Sequence, residues 1–363
     1  MRRLLALFVL AALAPRITPA QESSRTATAL PASAALAPAA PDPRAPLFVS
    51  VAWLAQHLRD PDLVLLHVGD AAEYPAAHLP RARLASVGDV SVGDRNGPGL
   101  AIEMPSPDSL RARLAALGIS DRSRIVVYYA RDMVYPSTRI LLTLAYAGLG
   151  DRASLLDGGM GAWIAGGQAT TGEVPEAKPG TLAPLRIRNF VVDAADVQAM
   201  IGTPGVSVVD ARDTAFYGGS RRGGSAQAPH RAGHIPGARN VSWSALVDDA
   251  LRIRPSAAMA DAFAAAGVGA KDVVIGYCHT GQQATAMLLA ARALGHPILL
   301  YDGSFQDWSA RTALPVEVTA PAKKPEPATA TEGVESGFGF HALNRYLSFA
   351  ISSRAPLSSC TPK

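Results

Sequence analysis

The run Asp272-Val-Val-Ile-Gly-Tyr277 is continuously apolar and β-branched, which predicts a short buried strand. Six residues later, Gln283-Ala-Thr-Ala-Met-Leu-Leu-Ala-Ala-Arg-Ala-Leu294 is dense in helix formers and stops at Gly295, with Pro297 just beyond. The intervening Cys278-His-Thr-Gly-Gln282 therefore lies where a strand ends and a helix begins. Open α/β sheets place ligands in that crevice. Unpaired N–H groups at a helix start carry partial positive charge and stabilise a thiolate or an oxyanion. A buried cysteine is also a common apolar filler, so this arrangement alone leaves nucleophile and filler both open.

The pattern occurs twice, as in tandem-repeat chains. Leu155-Leu-Asp-Gly-Gly-Met-Gly-Ala-Trp163 matches Leu300-Tyr-Asp-Gly-Ser-Phe-Gln-Asp-Trp308 at an offset of 145 residues. Phe48-Val-Ser-Val-Ala-Trp-Leu54 and Phe190-Val-Val-Asp-Ala-Ala-Asp196 open the two copies, 142 apart. The apolar run Ser123–Tyr129 matches Lys271–Tyr277. After Tyr129 the first copy reads Ala130-Arg-Asp-Met-Val-Tyr-Pro136, with no cysteine, and His78-Leu-Pro-Arg-Ala82 is a worn version of His234-Ile-Pro-Gly-Ala238. Trp163 and Trp308 are expected as core anchors. The first copy is expected to be catalytically dead.

Ser207-Val-Val-Asp-Ala-Arg212, Gly233-His-Ile-Pro-Gly-Ala-Arg-Asn240, the cysteine loop and Tyr301–Trp308 follow one another in an order and spacing that resembles the rhodanese family of sulfurtransferases. The resemblance spans about residues 47–316. It implies an α/β fold of two tandem domains, each a mainly parallel central sheet flanked by helices. It also implies that Cys278 holds a sulfane sulfur as a persulfide. The resulting layout is an N-terminal domain at 47–173 without a catalytic cysteine, a linker at 174–184 and a catalytic domain at 185–316. A Pro-rich linker and tail follow at 317–363, with a short amphipathic stretch at 340–351.

The start, Met1-Arg-Arg-Leu-Leu-Ala-Leu-Phe-Val-Leu-Ala-Ala-Leu-Ala14, has a basic head, a short apolar run and a small-residue site at Thr18-Pro-Ala20. Residues 1–20 read as a signal peptide whose apolar run is too short to span a bilayer, so no stable membrane anchor and a periplasmic or secreted location are expected. Residues 21–46 are an Ala/Pro-rich disordered spacer by composition. Loss of Arg2, Arg3 and Arg16 takes the formal charge from +4 to +1, which gives no argument for nucleic acid, and no nucleic-acid partner is expected. Of the two cysteines, Cys360 sits near the chain end and reads as an incidental thiol, with a resolving role toward Cys278 as the alternative. No Cys/His cluster has metal-ligand spacing and no phosphate loop occurs, so no cofactor is expected.

Sulfur transfer needs a thiolate, a cradle for the persulfide charge and recognition of a small anionic donor, with a thiophilic acceptor to finish. Cys278 supplies the first, and the N–H groups of His279 through Ala284 the second, with Gly281 allowing the tight curve. Thr280 either donates to the sulfur or caps the following helix. His279 either carries charge toward a sulfonate or hydrogen-bonds as an exposed neutral ring. Gln282 and Gln283 either donate to an oxyanion or simply begin the helix. Where two-domain relatives place an anion-binding arginine, before Tyr217, this chain has Phe216. Arg221, Arg222 and Arg231 in the loop 218–233 are the candidate replacements. Asp210 and Arg212 are expected to brace the site, and His234 to be a satisfied turn residue.

Three functions compete: a sulfurtransferase, a persulfide carrier serving a protein acceptor, and a phosphatase like the cell-cycle dual-specificity enzymes of the same fold. The last needs an arginine where this chain has Ala284, with none before Arg292, which argues against it.

Overall fold

The computed structural model describes residues 47–319 apart from 95–98, 132–133, 177 and 226–227. The expected signal segment, the spacer at 21–46, the stretch at 340–351 and Cys360 lie outside the described residues.

The apolar runs form two five-stranded sheets. The first is ordered β1-β5-β4-β2-β3, from β1 (Phe48–Val49), β2 (Leu63–Val68), β3 (Arg83–Ala85), β4 (Arg124–Tyr129) and β5 (Ala153–Leu156). The second is ordered β6-β10-β9-β7-β8, from β6 (Val191–Val192), β7 (Val206–Asp210), β8 (Arg239–Asn240), β9 (Val273–Tyr277) and β10 (Ile298–Tyr301). All pairings within them are parallel, so each strand needs a crossover to the next. In the first unit helices α1 (Val51–His57), α2 (Pro107–Ala116), α3 (Val134–Tyr146) and α4 (Gly159–Ala165) flank the sheet. In the second they are α5 (Ala194–Met200), α6 (Thr214–Tyr217), α7 (Ser256–Ala265), α8 (Gln283–Ala293) and α9 (Ser304–Ala310). The expected α/β architecture is the one observed.

Burial on both faces explains why the strands are apolar runs rather than alternating ones. One face of each sheet closes over its own tryptophan. Leu54, Val126, Tyr128 and Leu156 pack with Trp163, and Val197, Ile275, Tyr277 and Phe305 with Trp308. The indole N–H groups donate to Ala169 and Pro315 carbonyls at 2.9 and 2.8 Å. The other faces share one apolar core that runs through both units, with α3 and α8 inside it. At its centre the hydroxyls of Thr138 and Thr285 meet at 2.8 Å.

Pairing register corrects the repeat alignment. Val127 pairs with Leu155 in the first sheet, and Gly276 with Leu300 in the second. Because Leu155 and Leu300 correspond, Tyr128 matches Tyr277, and it is Tyr129 that matches Cys278. The consecutive tyrosines at 128 and 129 conceal this one-residue slip in the sequence. In a strand such a slip reverses the face each side chain points to. Likewise Phe48 corresponds to Val191 rather than to Phe190. Ser50 and Asp193 then fall together, and each accepts a backbone N–H as the N-cap of the following helix.

The segment 174–184 resembles a disordered spacer in composition but is laid against the first unit. Leu182 is buried, the Gly180 N–H donates to Ala115 at 2.8 Å, and the Thr181 N–H donates to Ser120 Oγ at 3.0 Å.

Candidate active site

Strand β9 delivers Cys278 to the carboxyl end of the second sheet, where it is 1% exposed. Its backbone is clamped from α9. The Cys278 N–H donates to Ser304 Oγ at 3.2 Å, and the Cys278 and His279 carbonyls accept from the Phe305 and Gln306 N–H groups at 3.0 and 2.9 Å. Ser304 holds φ +52, a left-handed conformation rare for a side-chain-bearing residue, which aims its hydroxyl beneath the cysteine amide. The corresponding residue of the first unit is Gly159, at φ +55. The contrast between Gly-Gly-Met and Gly-Ser-Phe in the repeat was the sequence signal for Ser304.

The predicted loop residues form one continuous turn into α8. Gly281 has φ +81, and a Cβ there would lie 2.6 Å from the Asp302 carbonyl oxygen, so only glycine fits. Among the described residues no acceptor takes the N–H groups of His279, Thr280, Gly281 or Gln282. The expected cradle is therefore unoccupied by the protein's own groups. Thr280 does not cap the helix: the N-cap is Gln282, which makes no side-chain capping bond, and Thr285 Oγ1 donates to the Gln282 carbonyl at 2.7 Å. Gln283 begins the helix with its Oε1 buried and without a partner, and Ala284 is fully buried, contributing only its amide.

His279 departs from both roles expected of it. It is neither exposed nor available to carry charge. Its ring meets Phe216 edge-on at 4.6 Å between centroids and leans on His230 at 5.8 Å, with Nδ1 buried and unpartnered. Burial first, then the charge of Arg212 and the neighbouring His230 and Arg221, lowers its pKa to about 3. His230 is held down to about 4 by burial and Arg212, and His67 in the first unit to about 4 by burial and His78.

These depressed values have a sign. The unfolded histidines take protons at higher pH than the folded ones, so stability rises with pH. The contribution is complete above the unfolded value and is lost as pH falls from about 6.5 toward the folded values of about 3 for His279 and about 4 for His230 and His67. By about pH 5, each of the three should forfeit roughly 2 kcal/mol of folding free energy. Urea unfolding midpoints at about pH 7.5 and pH 5 measure this, and a flat profile contradicts it.

The three arginines separate. Arg221 stacks over the Phe216 ring at 4.6 Å, close enough for its charge to act on His279. Arg222 is exposed, with no ion-pair partner among the described residues. Arg231 is spent on structure: its guanidinium donates to the carbonyls of Trp308, Ser309, Arg311 and Leu314 at 2.7–3.2 Å, which removes it from anion binding.

Beneath the site, Arg212 grips Asp210 through three contacts of 2.6–3.0 Å, and both side chains are buried. The same guanidinium lies 4.0 Å over the Phe305 ring and donates to the Gly233 carbonyl at 2.8 Å. His234 stacks on Tyr217 at 3.7 Å and bonds the Tyr217 carbonyl through Nδ1 at 2.8 Å, as a turn residue should.

In the first unit Tyr129 fills the cysteine's place. Burial pushes its phenol above the ordinary range, and it donates to the Leu251 carbonyl at 2.8 Å. A cavity of about 670 Å³ opens beside it, between α4 and residues 249–252 of the second unit. No cysteine lines it, so its size is no guide to the sulfur chemistry.

The model of the rhodanese-like domain matches residues 50–166 and 193–311. The chain belongs to the rhodanese family. It is 32% identical over 275 residues to a thiosulfate sulfurtransferase of Pseudomonas aeruginosa, covering 75% of this chain and 97% of that protein. A probable 3-mercaptopyruvate sulfurtransferase of the same organism is 31% identical over 72% of this chain and 95% of its own length. The crystal structure of SseA from Escherichia coli superposes with a TM-score of 0.62 at 26% identity, covering 71% of this chain and 98% of SseA. These relatives are enzymes, and this rhodanese is a sulfurtransferase with one cysteine-bearing unit and one without.

Proposed function

We propose that the second unit moves a sulfane sulfur from thiosulfate, or a related small anionic donor, to cyanide or a thiol by double displacement through a Cys278 persulfide. The Cys278 thiolate attacks the outer sulfur of thiosulfate, the donor's S–S bond breaks, and sulfite leaves with the bonding pair. Cyanide carbon then attacks the outer persulfide sulfur, and thiocyanate departs as the thiolate is restored. The observation that carries this reading is the run of unpaired N–H groups at His279–Gln282 directly after Cys278, which can hold the negative charge of a persulfide.

Donor choice follows from what surrounds the cradle. With His279 neutral and Phe216 in the arginine's usual place, Arg221 is the cation nearest the loop among the candidates, and Arg222 adds charge farther out. One exposed cation suits a singly charged donor such as 3-mercaptopyruvate as well as it suits thiosulfate, and relatives of both names occur. The 1% exposure of Cys278 favours small acceptors over a protein acceptor. Thiocyanate formed with each donor in turn tests the reading. Turnover with at least one is expected, and none with either contradicts it.

Export is proposed on the strength of Met1–Ala20, whose basic head, apolar run and small-residue site have the features of a cleaved signal. The mature chain is then expected to begin at Gln21. Intact mass of material from outside the cytoplasm checks this, and a mass that retains residues 1–20 contradicts it.

A further inference from the structure

One buried charge belongs to neither the cysteine loop nor the pair beneath it. Arg139 lies on α3 of the first unit and is fully buried. Its Nη1 crosses to the second unit, donating to Asp302 Oδ1 at 2.6 Å and to the carbonyl of Gly281 at 3.2 Å. Asp302 Oδ2 accepts the Met104 N–H at 2.7 Å, again across the units. Arg139 Nε and Nη2 are buried with no partner among the described residues.

Stability alone does not account for this arrangement. A buried guanidinium with one carboxylate partner and two unsatisfied nitrogens is costly, and apolar residues of similar volume usually serve a core at least as well. The repeat offers a control. With Thr138 set against Thr285 across the shared core, the position matching Arg139 on α8 is Ala286, buried and apolar. The charge therefore appears only on the unit that lacks the cysteine, directed at the loop that carries it. A Cβ at Gly281 would also stand 3.2 Å from Arg139 Nη1, so this guanidinium forms part of the wall against which the loop is bent.

We propose that Arg139 is a positioning residue, through which the non-catalytic unit holds the Cys278 loop in the curvature that points its N–H groups at the bound sulfur. It touches a loop carbonyl rather than the donor. Its loss should therefore act on the sulfur-transfer step and leave donor affinity almost unchanged. The effect on turnover rests on the sulfur-transfer reading above.

Arg139→Met and Arg139→Lys in the full chain test it, through steady-state rates, thermal unfolding and the rate at which iodoacetamide alkylates Cys278. Alkylation reports loop geometry without any sulfur donor. For Arg139→Met, kcat is expected to fall roughly tenfold to a hundredfold with KM within about twofold, and the alkylation rate to change by at least about threefold. Arg139→Lys, which keeps the charge but not the fork, should recover part of both. A folded Arg139→Met chain with wild-type kcat and alkylation overturns the proposal, as does a loss confined to the unfolding midpoint. If Arg139→Met does not fold, Arg139→Lys decides: a kcat and alkylation rate equal to wild type overturn the proposal, and a selective fall in kcat upholds it. If the wild-type chain turns over neither donor, the sulfur-transfer reading fails, and alkylation still decides the role of Arg139.

Discussion

Cys278→Ser is expected to lower thiocyanate formation at least about a thousandfold while the chain remains folded. The oxygen is a far poorer nucleophile toward sulfur than a thiolate, and no second thiol lies among the described residues to replace it. The hydroxyl enters a site that is 1% exposed, so a destabilisation of about 1–2 kcal/mol is expected, too small to unfold the domain. Rate and unfolding midpoint measured on the same preparation separate the two effects. Residual turnover above a hundredth of wild type would mean that another group accepts the sulfur.

Asp210→Asn should be the most damaging change to stability. Arg212 would keep its charge and its Gly233 carbonyl but lose the carboxylate that offsets its burial, which costs about 3–5 kcal/mol. The damage should spread to the loop. Arg212 lies against the Phe305 ring, and the Phe305 N–H holds the Cys278 carbonyl. Urea unfolding of Asp210→Asn and of Asp210→Asn with Arg212→Met measures the coupling. The double variant is expected to recover part of the loss because no unpaired charge remains. A single-variant loss below about 1 kcal/mol would show that the pair is not structurally important.

Local features were legible wherever the deciding neighbours lie close in sequence. Strand, loop and helix around Cys278 follow from one continuous stretch, and Gly281 stands where its backbone needs it. Repetition carried further still: Trp163 and Trp308 were recognisable as anchors, and the first copy's missing cysteine was plain. What escaped depends on distant neighbours. His279 is neutral because Phe216, His230 and Arg212 close around it, and none of them is adjacent to it in sequence. Arg231 looks like a free loop cation until four carbonyls from residues 308–314 are folded onto it. Arg139 gave no signal, since its partners Gly281 and Asp302 belong to the other unit. The register slip at Tyr128-Tyr129 was hidden because two identical residues satisfy either alignment.

Intact mass of the mature chain after incubation with thiosulfate, and again after cyanide, reads the Cys278 persulfide itself. A gain of one sulfur on Cys278 that cyanide removes as thiocyanate is expected, with no gain in Cys278→Ser. An unmodified Cys278 with both thiosulfate and 3-mercaptopyruvate, in a chain shown to be folded, would contradict it.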